Sequence, residues 1–274
     1  MGQLVLAYHG CDVCTRDDLV KGIVDPVFSR NRYDWLGDGV YFFQDDHQRA
    51  LNLAKRSAEK SELLLTKNPI ATPSVVGAVL DVDRWFDLST QSAIANFKVA
   101  AETLVALHES TGEPLPQNKS AYIGDDDKIH RAFDREVIIL LHALRNQQLN
   151  NAVQALQQTT TDFQDRLGQG LAADSDDAKC YQKDISVLHG AVMAYAPYQA
   201  SRAPFEQGAS IGHTNAICED SHIQIALHDL SCIRGWFLVP GDKMQTESEY
   251  MKAKDALELA RKERVDLKKT KAKP

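Results

Sequence analysis

The chain predicts an α+β fold, and three observations carry that expectation. Apolar and β-branched runs too short for helices occur near both ends, around residues 3–8, 39–43, 75–82, 222–227 and 232–239. Helical spacing of apolar residues fills the middle, over 93–108, 128–145 and 149–167. A charged helical run over 244–270 follows the last strand. The expected organisation is one domain over 1–243, with a helical insertion at about 90–170, and a charged helix with a basic tail over 244–274. There is no internal repeat.

In chain order, Leu4-Val5-Leu6-Ala7 reads as a short buried strand, and a short helix starts near Thr15–Asp18. A polar, irregular stretch covers Ser29 to Asp34. Gly37 and Gly39 punctuate a turn before Val40-Tyr41-Phe42-Phe43. A helix from Asp46 to about Ser61 has an acid at its start, which suits the helix dipole. Val75 to Val82 is apolar on both faces, as a central strand is. Asp184 to Tyr195 fits a helix or a strand. An irregular loop starts at Arg202 and runs to Asp220; His222 to Leu227 alternates as a strand, and Cys232 to Val239 is a final one closed by Pro240-Gly241.

Bulk properties narrow the function classes. The 274 residues carry a net charge of -7 and 43% hydrophobic residues, enough for a substantial core. No apolar run approaches the roughly 18 residues of a membrane span. No basic segment precedes the first strand, so no secretory signal is expected, and Leu6 stands where a myristoylation motif needs Ser or Thr. Five cysteines form no framework, which points to free thiols and a reducing, cytoplasmic setting. Cys11-x-x-Cys14 beside His9 invites a redox or zinc reading, but no second Cys pair or His-x-His completes a metal set. The segment Lys252 to Lys273 holds nine Lys/Arg and four Asp/Glu, a net +5 that leaves -12 for the rest. The acidic body argues against broad electrostatic binding of nucleic acid, whereas the tail is of a kind that tracks phosphates.

Two motifs carry the chemistry. Ala7-Tyr8-His9-Gly10 ends the first apolar run, and Leu36-Gly37-Asp38-Gly39-Val40-Tyr41-Phe42 follows about thirty residues later, ahead of Asp45 and a helix with Ala50, Ala54 and Ala58. A histidine at a strand end reaches into a cleft. A glycine after it lets backbone approach a planar amide, and a tyrosine ring offers a face to a flat heteroaromatic. The chain has no Gly-x-Gly-x-x-Gly between a strand and a helix, so a dinucleotide here would not be held as a redox carrier.

In this order and spacing the pair resembles the NAD-binding half of the diphtheria-toxin and poly(ADP-ribose) polymerase-like ADP-ribosyltransferases, over about 3–90 and 200–240. The resemblance implies two small β-sheets packed around an NAD cleft, with NAD consumed as substrate. It implies that His9 holds the adenine-side ribose, that Gly10 holds the nicotinamide carboxamide through its backbone, and that Tyr41 stacks on nicotinamide, with Gly39 in the binding turn. The family's third catalytic position, usually Glu, lies at a late strand behind an acceptor-presenting loop. It steadies the nicotinamide-side ribose as an oxocarbenium-like transition state develops. Here Gln224 on the strand or Glu219 just before it fills the position. Gln224 can bond hydroxyls but cannot act as a base, which favours single transfer over chain elongation. His222 and the loop residue His213 are further candidates. The implied activity is mono-ADP-ribosyl transfer to a macromolecular acceptor, protein or nucleic acid, in a toxin or defence effector restrained by an antitoxin or inhibitor protein. An NAD glycohydrolase or an inactive ADP-ribose-binding module are the alternatives.

Overall fold

A computed structural model describes residues 2–31, 34–63, 65–120, 130–212 and 217–271. His213 lies outside them. Two compact units divide the chain: one holds residues up to Ile138 and from Gln199 onward, the other Ile139–Tyr198.

The first unit is mixed α/β. Its strands are β1 (Gln3–Asp12), β2 (Val40–Gln44), β3 (Pro73–Val82), β4 (Trp85–Asp87), β5 (Asn118–Lys119), β6 (His130–Arg131), β7 (Ala200–Phe205), β8 (His222–Leu227) and β9 (Ile233–Leu238). Its helices are α1 (Val13–Val20), α2 (His47–Glu59), α3 (Gln91–Thr111), the start of α4 (Ala132–Gly168) and α6 (Glu247–Lys271). Seven strands form one sheet in the order β4-β7-β8-β2-β1-β3-β9, and β5 pairs with β6 as a separate ribbon. All pairings are antiparallel except β4 with β7.

This corrects the expectation of two packed sheets: the two halves, β4-β7-β8-β2 and β1-β3-β9, are joined edge to edge. The joint is narrow. β1 pairs with β3 along all ten residues but with β2 only at Ala7↔Gln44 and Tyr8↔Phe43. Beyond Tyr8 the strands diverge.

One sheet face buries Val5, Ala7, Phe42, Leu80, Ile225 and Leu227 as its main core. The other packs Tyr8, Phe43 and Val75 against Ala50 of α2. Period-two alternation in the strands produces both faces, and full burial of a Phe such as Phe42 contributes about 1.5–3 kcal/mol. The segment expected as loop from Arg202 begins instead with β7. Pro204 sits where β7 has already run past β4, which pairs only through Arg202, so its missing N–H on that edge leaves no ladder bond unmade.

The charged C-terminal helix is docked. Ala253 and Leu257 of α6 pack on Val13 and Cys14, and Tyr250 donates its hydroxyl to Asp18 at 3.0 Å. Buried Arg16 bonds Asp17 at 2.8 Å and the Lys243 carbonyl at 2.9 Å, and Asp17 accepts Gln245 N–H at 3.0 Å.

The second unit is helical. It consists of the remainder of α4 and α5 (Asp176–Tyr195), with Phe163 stacked on Tyr181 at 5.3 Å. Arg145 lies 3.9 Å over the Tyr198 ring and donates to the carbonyls of Ala194 and Ala196. α4 runs unbroken where the apolar spacing predicts two helices, because Asn146–Asn150 contains no Gly or Pro to stop it.

Asp12 ties three segments together at the end of β1. Its Oδ1 caps α1 through Cys14 N–H at 3.0 Å, and its Oδ2 accepts from Ala71 and Thr72 N–H, both at 2.9 Å, just ahead of β3. Asp12 is 2% exposed, so its removal strands three amides away from water. Asp12→Ala is expected to cost about 3 kcal/mol or more. Urea denaturation measures this; a loss within about 0.5 kcal/mol, the range of ordinary surface substitutions, would show that the three bonds are dispensable.

Candidate functional site

The divergence of β1 from β2 opens a cavity of about 400 Å³, lined by His9, Gly10, Tyr41, His222 and Gln224 among others. Small-molecule sites run from roughly 300 to 1,000 Å³. Four of the residues singled out in the sequence therefore converge on one space, with His222, from segments more than 180 positions apart.

The strand register explains what β1 offers there. Leu6 O accepts from Asp45 N at 3.0 Å, which turns the backbone groups of residues 6, 8 and 10 toward β2. After Tyr8↔Phe43 the next pair in that alternation would be Gly10↔Tyr41, and it is not formed. The Tyr41 carbonyl instead accepts a hydrogen bond from His9 Nδ1–H at 2.8 Å. The Gly10 N–H and C=O are thus directed along the open edge. Gly10 has a packing reason as well: a Cβ there would meet the Ala50 carbonyl of α2 at 2.2 Å. The glycine is required by helix approach before any ligand is considered.

His9 is neutral. Burial moves its pKa below the ordinary 6.5, outweighing the bond to Tyr41 O. Because a carbonyl only accepts, Nδ1 carries the hydrogen and Nε2 is left as an acceptor. Tyr41 is also pinned. Its hydroxyl donates to Gly37 O at 2.8 Å and accepts from Leu36 N–H at 3.1 Å, and burial keeps it protonated far above neutral pH. The ring packs beside Trp35, Leu36 and Phe205. Gly37 takes φ 87°, the left-handed conformation that lets this turn close back on Tyr41.

Gln224 lies opposite Phe43 across β2 and β8, and its Oε1 accepts the indole N–H of Trp35. That bond leaves the amide NH₂ as the donor side. Glu219 is exposed; its N–H bonds the Ala209 carbonyl at 3.0 Å, and it does not line the cavity. Gly39 also stands off it. Gly39 is paired with Ser29 by backbone bonds of 2.8 and 3.2 Å, and a Cβ would strike Leu227 O at 2.7 Å.

The sequence motifs miss several cavity residues. Arg49 of α2 donates to Gln207 Oε1 at 2.6 Å, pairs with Asp220 at 3.8 Å and covers the Phe43 ring at 5.2 Å. Arg56, Lys67 and Arg261 add cations from α2, the segment before β3, and α6. Asp34 and Trp35 come from the end of the polar stretch. The available signal for these was an acid and a tryptophan immediately ahead of the Gly-rich motif. The Cys11-x-x-Cys14 pair carries no reactive thiol: burial pushes Cys14 up to about 12 and Cys11 further. Among the described residues no group of three His, Cys, Asp or Glu is placed to hold a metal ion, and no helix is long and apolar enough to cross a membrane.

No known protein family, curated protein or solved structure matches the chain.

His222 gives a pH signature. Its Nδ1 donates to Asp220 O at 2.7 Å, while Nε2 is buried without a hydrogen-bond partner among the described residues. The ring sits 4.7 Å from Phe43 and 5.3 Å from Phe205, and burial pushes its pKa down from 6.5 to about 4. A depressed folded-state pKa means that the unfolded chain takes the proton first, so its contribution is intact above 6.5 and is lost as pH falls to about 4. Asp34, raised from 3.8 to about 6, acts with the opposite sign in an overlapping window. The comparison must therefore be between proteins. His222→Gln is expected to lose less stability than the wild type between pH 6.5 and about 4, read from urea midpoints. Parallel losses would show that His222 titrates normally.

Proposed function

We propose that the protein is an NAD-consuming mono-ADP-ribosyltransferase acting on a macromolecular acceptor. The observation that carries this reading is the unmade Gly10↔Tyr41 pair. It leaves one backbone donor and one backbone acceptor at the edge of the cavity, the complement a carboxamide needs.

The rest of the lining fits the same substrate. His9 Nε2 is a fixed acceptor for a ribose hydroxyl, and the Tyr41 ring, held through its hydroxyl, supplies a rigid apolar surface for the nicotinamide. Arg49, Arg56, Lys67 and Arg261 provide the positive charge that a diphosphate requires. Gln224, oriented by Trp35, donates to ribose hydroxyls on the nicotinamide side. NAD supplies a ribose whose bond to a cationic ring breaks readily. The chain's part is to hold both ends of the molecule and to stabilise positive charge as that bond lengthens.

An amide at position 224 binds a ribose hydroxyl but does not itself deprotonate one. The segment over 217–221 leads directly into β8, so the macromolecule to be modified would be met there. The reading also includes a toxin or defence role with a restraining partner protein.

The test uses NAD labelled in the adenylate, with cell lysate treated by protease or by nuclease. Label that survives protease but not nuclease identifies a nucleic-acid acceptor, and the converse a protein. Label that remains free ADP-ribose, at a rate indifferent to macromolecules, identifies a glycohydrolase. His9→Ala and Tyr41→Ala are each expected to lower nicotinamide release roughly 10- to 100-fold, since each removes interactions worth about 1–3 kcal/mol. Gln224→Ala should lower it about 10-fold and Glu219→Ala not at all. NAD bound without release of nicotinamide would point to a binding module, and no binding at all would end the NAD reading.

A further inference from the structure

The turn before β2 carries a buried carboxylate inside the cavity. Asp34 is 4% exposed and shares the lining with His9, Tyr41 and Gln224. Its position is fixed locally. The Asn31 N–H and the Ser29 hydroxyl bond its carboxylate, and its own carbonyl accepts Gly37 N–H at 2.8 Å. The next residue, Trp35, reaches across to Gln224. One short segment thus places a carboxylate and orients the amide at position 224. A carboxylate has about four acceptor sites, and two donors leave capacity for more.

The titratable and charged groups facing Asp34 come from three elements. Arg135 of α4 is already bonded to Asp38 at 2.6 Å and to Glu136 at 3.0 Å. Asp38 lies in the same turn, and Tyr41 of β2 is a neutral phenol.

We infer that Asp34 is the proton acceptor of this site, the catalytic carboxylate that deprotonates the incoming nucleophile in place of a late-strand glutamate. The inference rests on the transferase reading above. In the step, the acceptor's O–H or N–H proton passes to Asp34. The lone pair of that oxygen or nitrogen forms the bond to the ribose anomeric carbon. The carbon–nitrogen bond to the pyridinium ring breaks with both electrons on nitrogen, and neutral nicotinamide leaves.

The competing groups fit less well. Gln224 has no basic atom and its Oε1 is engaged by Trp35. His222, at about 4, is too weak a base for neutral pH. Burial pushes the Asp34 carboxyl up to about 6, near the range where a general base works best while still ionised.

The test has a readout on the free protein and one on turnover. With ¹³C-carboxyl aspartate, NMR should show one aspartate titrating near 6 in the NAD-free wild type, absent from Asp34→Asn. In turnover, Asp34→Asn should lower kcat about 100-fold or more with KM for NAD unchanged within about 2-fold, and the acid-limb inflection near 6 should vanish. The asparagine keeps an oxygen for the Asn31 N–H. Should it nonetheless fail to fold, Ser29→Ala serves instead. Losing that hydroxyl should raise the Asp34 pKa, moving the NMR titration and the rate inflection upward together. A purely turn-forming Asp34 would leave the inflection in place. Nicotinamide release that is indifferent to Asp34→Asn, or a rate inflection that ignores Ser29→Ala, overturns this inference alone. A wild type that releases no nicotinamide overturns the transferase reading and this inference with it.

Discussion

A single side-chain bond, from His9 Nδ1 to the carbonyl of Tyr41 at 2.8 Å, occupies the place where the β1–β2 ladder would otherwise continue. Continued pairing would bond the Gly10 backbone groups to Tyr41 and close the cavity. Instead, the imidazole satisfies the Tyr41 carbonyl from the side, and the two strands part with one buried acceptor already satisfied. A buried carbonyl without a partner costs about 1–3 kcal/mol, so the histidine stabilises the open form of the joint. The same bond fixes the His9 tautomer, so structure and chemistry at this position have one cause.

The split also has to be held from outside. On one side α2 presses on Gly10 through Ala50, an approach that only glycine admits. Further along β1, Asp12 binds α1 and the strand leading into β3. α6 then closes over α1 through Ala253 and Leu257, and its docking carries Arg261 to the cavity lining. The charged tail helix is therefore not an appendage in the folded chain. Its apolar stripe belongs to the core of the half that carries His9, and part of its positive charge belongs to the cavity.

Much of this was legible in the sequence, for identifiable reasons. β2, β8 and β9 follow alternating or apolar runs bounded by Gly, Pro and Asp, and they sit close to where those signals place them. β1 was legible only to residue 8. Its last four residues are polar or small, and they are strand because β3 pairs them one by one, which no local pattern records. β7 was hidden by Pro204, which reads as a breaker unless the short reach of β4 is known. Within the cavity, His9, Gly10, Tyr41 and Gln224 were legible because motif spacing and strand position select them. Asp34 was not, since an acid in a polar loop looks like any solvated turn residue until burial distinguishes it. Glu219 was a natural candidate by type, but the loop geometry turns it to solvent.

As a transferase site, the cavity would separate two tasks that a single late-strand carboxylate would combine. On the proposed reading, orientation of the ribose falls to an amide, Gln224, whose geometry is set by an indole N–H and which is uncharged at every pH. Negative charge falls to Asp34, on the opposite side of the same Trp35 link and buried enough that its ionisation is not automatic. Placing the charge in the turn before β2 ties it to Tyr41, because the Asp34–Gly37 turn that holds the carboxylate is the one that grips the Tyr41 hydroxyl. Any movement of that turn displaces the aromatic surface and the carboxylate together.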